Sequence, residues 1–433
     1  MRLEKATIWR LSSLSRLRTR IQFCQRNHTM AGSGPIEEQT LPRYHQKHYC
    51  PVKPGVIFNN RYQVIAKLGY GAHSTVWLAR DEKSKEYTSL KVCIQDEAET
   101  SPIMNEISML KRLAKIAAEA PPPEDEDFHT GIPLTRLARD IFEIQGPTGR
   151  HHCIAMKAEG NSLGDLQQRT TDARLPIYLL RPIIQQLLVA LNWLHADCGV
   201  IHTDISPRNI LMAVEDDVIF RNVEGEESKN PSVPVMTDGG PVYESVLTGL
   251  ALSGTPVLTD FGKMRLAQPL NTDWWMPDIY RAPEVLLKLP WGYEVDLWSV
   301  GVMTMELVEG KNLFDPVDRV NHQYVLPLAL AQYIGYMGLP PLNMIKKSPL
   351  LTKYFDPDGM FLIYGPTFTG NWAYDYPIPQ STFENFVTAI PPGEDKDTFL
   401  RFIRRMLTWD PAARTGSSEL VIDEWLMKTD STY

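Results

Sequence analysis

The sequence predicts an α+β protein of two lobes, a small β-rich one followed by a larger helical one, with a cleft between them. Three observations carry this. Residues 61–95 fall into β-rich runs separated by glycine and charged turns. From residue 176 onward apolar residues recur at helical spacing over long segments. And 433 residues, 43% of them hydrophobic, suffice for one large or two modest cores.

The elements follow in order. The first 29 residues are rich in Arg and Ser, with Glu4 their one acid. That is the composition of a mitochondrial transit peptide, or of a disordered tail ahead of a start at Met30. On either reading residues 1–40 stand outside the folded lobes. "RYQVIAKLG", "STVWLARD" and "YTSLKVCI" read as strands. "PIMNEISMLKRLAKIAAEA" follows as a helix, its apolar face formed by Ile103, Ile107, Leu110, Leu113 and Ala114. "PPPEDEDFHTG" breaks it into a solvated loop, and "HHCIAMKAEG" is a further strand running to Gly160. Residues 41–160 thus form the small lobe. "LPIYLLRPIIQQLLVALNWLHA", "YEVDLWSVGVMTMELVEG" and "TFLRFIRRMLTWD" are long helices of the larger lobe, 161–427, with a tail at 428–433. Residues 213–256 separate two short strand-like runs and carry eight acids against Arg221 and Lys229. A loop of that length is functional or disordered, and a mostly disordered, solvated insert is expected. "YVLPLALAQYIGYMGLPPL" is interrupted by Pro327, Gln332 and a Pro pair, so it reads as buried helix plus turn, with no membrane partner.

The net charge of −8 argues against direct nucleic-acid binding and suits a basic partner. The five cysteines are odd in number and form no C-x-x-C pair, which fits reduced thiols in an intracellular protein.

Several residues have the chemistry of phosphate handling. Gly69 and Gly71 lie between two strands, where glycine lets backbone N–H groups approach phosphate oxygens. No helix follows, which disfavours a dinucleotide fold. Lys91 sits inside an apolar strand and needs a partner; Glu106, on the next helix, is the candidate. In "HTDISPRNIL", Asp204 can accept or orient the proton of an attacking hydroxyl. Asp260, at a strand end in "LTDFG", and Asn209 offer oxygen ligands for Mg²⁺. A buried Glu284 calls for a cation, and Arg414 is the bidentate choice. Asp296, in an apolar helix, calls for satisfaction by the backbone of the catalytic loop.

Singly these are weak; their order decides. A glycine loop, a strand Lys, a helix Glu, H-x-D-x-x-x-x-N, D-F-G and A-P-E form the protein-kinase signature. D-x-W-S-x-G and a late Arg follow them here. "YCPVKPGVIFNNRYQVIAKLGYGAHSTVWLARD", "HTDISPRNIL" and "LFDP" narrow the match: over about residues 41–427 the chain resembles the SR-protein kinases, serine kinases of splicing factors, and their filamentous-fungal relatives. The resemblance implies a bilobal protein kinase fold. It implies that Leu68, Gly69, Gly71, Val76, Met156 and Leu211 hold ATP, with Lys91 and Glu106 as the lobe-bridging pair. Met156 takes the gatekeeper place and Lys157 to Gly160 the hinge. Asp204 becomes the catalytic acid/base, and Asn209 and Asp260 hold Mg²⁺. The implied partners are protein substrates, with Arg/Ser-rich splicing factors the first class; the implied state is a monomer in cytoplasm and nucleus, or in the mitochondrion if residues 1–29 are a targeting segment.

The departures matter. Ser206 stands where serine/threonine kinases keep a Lys, so an ATP-binding pseudokinase or scaffold is the alternative; a small-molecule phosphotransferase is disfavoured by the Ala-Pro-Glu and Asp-x-Trp-Ser segments. Arg208, one residue before Asn209, can supply the missing charge. Thr203 replaces the Arg that pairs with an activation-segment phosphate in switched kinases. The apolar bulk of Trp274 and Trp275 is expected to pin that segment instead.

Overall fold

The structure is a computed structural model. It describes residues 35–96, 98, 101–246, 248, 254–318, 320–321, 323–350 and 378–428. The expected targeting segment 1–29 lies outside the described residues.

The small lobe is a six-stranded antiparallel sheet in the order β1-β2-β3-β4-β6-β5. Its strands are β1 (Ile57–Phe58), β2 (Tyr62–Gly71), β3 (Ser74–Asp81), β4 (Tyr87–Cys93), β5 (Ala138–Gln145) and β6 (Arg150–Lys157). Helix α1 (Pro102–Ala118) crosses between β4 and β5. It starts where the sequence places a cap: the Ser101 hydroxyl accepts from the Met104 N–H at 3.2 Å and Pro102 takes the first turn. Ile103, Ile107, Leu110 and Leu113 are buried as their spacing requires. Strand β5 escaped the sequence reading. It is an edge strand with only Ile144 buried, so it shows no in–out alternation.

The larger lobe begins with α2 (Leu163–Arg169) and α3 (Ile177–Ala196). Helix α3 is long and apolar enough to span a bilayer, but here it is the buried centre of the lobe's core. Strands β7 (Val200–Ile201) and β8 (Ile210–Met212) bracket the loop that carries Asp204. Next come α4 (Val218–Lys229) and a hairpin of β9 (Val235–Thr237) and β10 (Gly240–Val242). Strands β11 (Pro256–Leu258) and β12 (Arg265–Leu266) then pair with β8 and β7. These two short pairings set residues 202–209 beside Asp260–Gly262. Helix α5 (Glu294–Glu309) lies under the loop, followed by α6 (Leu326–Met337) and α7 (Glu394–Arg404). Helix α6 stops at Gly338, whose φ of +74° is open to glycine, so the long apolar stretch is helix plus turn.

Two expectations need correction. The insert is not a disordered loop between residues 213 and 246. Ile219, Phe220 and Val223 form an apolar stripe on α4, and Phe220 packs against Tyr87 with ring centroids 5.5 Å apart. Glu224 accepts from the Tyr87 hydroxyl at 2.6 Å and from Arg80, so one of the supposedly solvating acids is an anchor to the small lobe. Nor does the tail extend to residue 40. Lys67 of β2 is fully buried, which is costly without partners. Glu38 pairs with it, Glu37 lies 3.4 Å from its Nζ, and the Tyr243 carbonyl accepts from it at 2.9 Å. The turn Glu37–Thr40 is therefore folded onto the sheet, together with the end of the insert.

Candidate active site

A cavity of about 700 Å³ lies between the lobes, in the size range of small-molecule sites. Leu68, Gly69, Gly71 and Val76 line it from the β2–β3 hairpin, and Lys91, Glu106 and Met156 from the back of the small lobe. Arg208, Asn209, Leu211 and Asp260 line it from the larger lobe. The residues expected from sequence to hold nucleotide and metal thus converge on one cavity. A Cβ at Gly69 or Gly71 would meet no protein atom within 4 Å. The fold itself does not demand glycine there; open space along the cavity wall does not need filling by the chain. Sequence reasoning missed Glu37, Ser245, Val246 and Thr248, which also line the cavity. The Val246 N–H donates to the Lys67 carbonyl at 2.8 Å, and Asn161 Nδ2 donates to Thr248 Oγ1 at 3.2 Å. The insert therefore touches both lobes at the cavity mouth.

Lys91 is held by both oxygens of Glu106, at 2.6 and 2.7 Å, and its Nζ lies 3.6 Å from Asp260 Oδ1. Burial works against its charge, but the Glu106 and Asp260 carboxylates outweigh burial and keep the ammonium protonated. Asp260 is held below the usual carboxylate range chiefly by Lys91, with His202 and Lys263 adding against its burial. An anionic Asp260 and the amide oxygen of Asn209 form the oxygen-rich donor set that suits a hard cation such as Mg²⁺. Asn209 leaves that oxygen available because its Nδ2 is already committed, donating to the Asp204 carbonyl at 2.8 Å. The hinge lysine, Lys157, is half exposed, with its Nζ 3.4 Å from Glu159.

Asp204 lies just beyond the cavity lining, and its loop is built from below. Asp296 of α5, with no exposed surface, accepts from the N–H groups of His202 at 2.8 Å and Thr203 at 2.7 Å. His195 Nε2 is 2.9 Å from the same carboxylate. Thr203 has φ +67°, a left-handed conformation that a β-branched residue adopts only when its surroundings impose it. Its hydroxyl donates to the Lys263 carbonyl at 2.7 Å, and Trp275 Nε1 is 3.0 Å from both of those oxygens. The Arg265 guanidinium lies 3.5 Å above the Trp275 ring, and that of Arg281 4.3 Å above Trp274. The segment after Asp260 is thus fastened by tryptophans. Glu284 and Arg414 form the expected pair, bidentate at 2.6 Å and without solvent exposure.

Ser206 brings no charge to the loop. Arg208 is exposed, and its Cγ lies only 3.2 Å from where a Cβ on Gly164 would be, so its stem rests against the start of α2. The cation beside Asp204 is one that sequence reasoning passed over: Lys263 Nζ is 3.2 Å from Asp204 Oδ2.

The protein kinase domain profile matches residues 139–426. A serine/threonine protein kinase of Aspergillus fumigatus is 35% identical over 396 residues, 90% of this chain and 91% of its own. The serine/threonine-protein kinase SRPK of Physarum polycephalum is 26% identical over 407 residues, 88% of this chain and 90% of its own. SRSF protein kinase 3 of Mus musculus is 35% identical over 192 residues, 44% of this chain and 32% of its own. The pseudokinase alternative finds no support in this set. The chain belongs to the protein kinase family, in its SR-kinase-like branch, and is a serine/threonine protein kinase.

Proposed function

We propose that this kinase transfers the γ-phosphate of ATP, with Mg²⁺, to serines set among basic residues, Arg/Ser-rich proteins being the first class. The observation that carries the reading is the convergence of Lys91, Glu106, Asn209 and Asp260 on one cavity that abuts Asp204. Asp204 orients the substrate hydroxyl and takes its proton. The hydroxyl oxygen forms a bond to the γ-phosphorus as the bond to the bridging oxygen breaks. That electron pair leaves with ADP, so ATP and the serine give ADP, phosphoserine and a proton. Lys91, held by Glu106, contacts the non-transferred phosphates, and Leu68, Val76, Met156 and Leu211 enclose the base. Asn209 and Asp260 are the residues to hold Mg²⁺, which neutralises phosphate charge when bound. Arg208 adds positive charge on the cavity floor.

The substrate class rests on the names of the Physarum and mouse relatives and on the chain's own net charge of −8, which favours a basic partner. The test is phosphate transfer to an Arg-Ser repeat peptide against an acidic peptide of equal length. The reading expects a higher kcat/KM on the Arg-Ser peptide. Preference for the acidic one removes the substrate class.

A further inference from the structure

Lys263 stands in the segment after Asp-Phe-Gly, and the reaction needs positive charge beside Asp204. The transferring phosphoryl group spreads negative charge over three oxygens, so catalysis depends on preorganised positive charge around it. On the Asp204 side the catalytic loop offers Ser206, which has none. Lys91 is committed to Glu106. Arg208 has its stem against α2. Lys263 has its ammonium 3.2 Å from Asp204 Oδ2 while its side chain stays 48% exposed. An ammonium has three donors, so one can bond Asp204 and another remain for a phosphate oxygen. A hydroxyl oriented by Asp204 puts the attacked phosphorus one oxygen away from that carboxylate, within reach of the same ammonium.

The backbone of Lys263 is fixed as a preorganised donor requires. Its carbonyl accepts from the Thr203 hydroxyl at 2.7 Å and from Trp275 Nε1 at 3.0 Å. Thr203 is adjacent to Asp204, so Lys263 and Asp204 are tied through one short hydrogen-bonded path. Its charge also helps to hold Asp260 in the anionic form.

We propose that Lys263 is a catalytic residue of this kinase: it contacts the γ-phosphate beside Asp204 and replaces the lysine that Ser206 has displaced from the catalytic loop. The proposal rests on the kinase reading. In the transfer step Lys263 gains and loses no proton; it donates hydrogen bonds to phosphate oxygens while the hydroxyl proton passes to Asp204 and the electron pair leaves with ADP.

The experiment compares wild type, Lys263→Ala, Lys263→Arg, Arg208→Ala and the double variant Ser206→Lys/Lys263→Ala, in steady-state kinetics on an Arg-Ser peptide. Thermal stabilisation by Mg-ATP is measured on each. Lys263→Ala should lose about 10²-fold in kcat, the scale of one preorganised charge contact, with its KM for ATP and its Mg-ATP stabilisation close to wild type. Lys263→Arg should keep part of the activity, and Ser206→Lys should restore about tenfold or more to Lys263→Ala. The last result separates a phosphate cation from a mere tie on the segment, since a lysine at 206 cannot replace such a tie. Full activity in Lys263→Ala overturns the proposal, as does a loss that Ser206→Lys leaves unrepaired. A large loss confined to Arg208→Ala assigns the cation to Arg208 instead. If wild type binds Mg-ATP and transfers nothing, the kinase reading itself falls and takes the proposal with it.

Discussion

Asp296→Ala is the perturbation whose size the structure fixes best. The carboxylate is fully buried and accepts from two backbone N–H groups, of His202 and Thr203, both residues without exposed surface. Alanine takes the acceptor away from both donors. Each orphaned buried donor costs about 1–3 kcal/mol, so the pair costs roughly 4 kcal/mol. For a lobe of this size that lowers Tm on the order of 10 °C. The effect on activity has a separate cause. Thr203, at φ +67°, stores strain that the bonds from Asp296 help to contain. Freed, the loop relaxes and Asp204 shifts; a misplacement of about 1 Å costs on the order of 10²-fold in rate. Asp296→Asn keeps one acceptor oxygen but turns an amide N–H toward the other donor, so its loss should lie between wild type and alanine. The assay is thermal unfolding followed by circular dichroism, with kcat measured well below the variant's Tm. A Tm for Asp296→Ala within about 2 °C of wild type, or an unchanged kcat, would refute the account of how the loop is held.

Three further outcomes follow from the same contacts. Protein made in bacteria should keep its activity after phosphatase treatment, because Trp275 rather than a phosphate fastens the segment to Thr203; Trp275→Ala should lower kcat, and loss on dephosphorylation that an upstream kinase restores would contradict this. Arg414→Ala strands Glu284 as a buried unpaired charge and should cost about 3–5 kcal/mol by urea denaturation, whereas Glu284→Met/Arg414→Met should recover most of it; equal losses in the two variants would show that the pair is not the cause. Burial holds the His151 imidazole below its ordinary value of 6.5, so it is neutral in the folded chain and takes up a proton more readily when unfolded. Stability should therefore fall as pH drops through that value, and His151→Phe should lose less between about pH 7 and pH 5; parallel Tm–pH curves would exclude His151 as a source.

What could be read from the sequence shares one physical reason. Lys91, Glu284 and Asp296 are charged residues in apolar segments, and each such group needs a partner. Glu106, Arg414 and the catalytic-loop backbone offered the fitting chemistry, and all three contacts are present, with Asp260 also near Lys91 and His195 also on Asp296. What escaped lacked that necessity. Lys263 is an ordinary half-exposed lysine in a segment without periodicity, and its place beside Asp204 depends on the β7–β12 pairing, a long-range event. The insert misled through its acid count, which concealed the Ile219, Phe220 and Val223 stripe in a short helix. The burial of Lys67 had no sign in the sequence, because its partners Glu37 and Glu38 come from beyond the expected lobe boundary and the Tyr243 carbonyl from the insert.

The central claim is that Asp204 and Asp260 serve one phosphoryl-transfer site despite the missing loop lysine. Its most direct test is transfer of radiolabelled γ-phosphate from ATP to an Arg-Ser peptide by wild type, Asp204→Asn and Asp260→Ala, each with and without Mg²⁺. The account predicts transfer by wild type only when Mg²⁺ is present, and at least about 10³-fold less by either variant. Asp204→Asn should still be stabilised by Mg-ATP. No transfer by wild type, or undiminished transfer by Asp204→Asn, would contradict it.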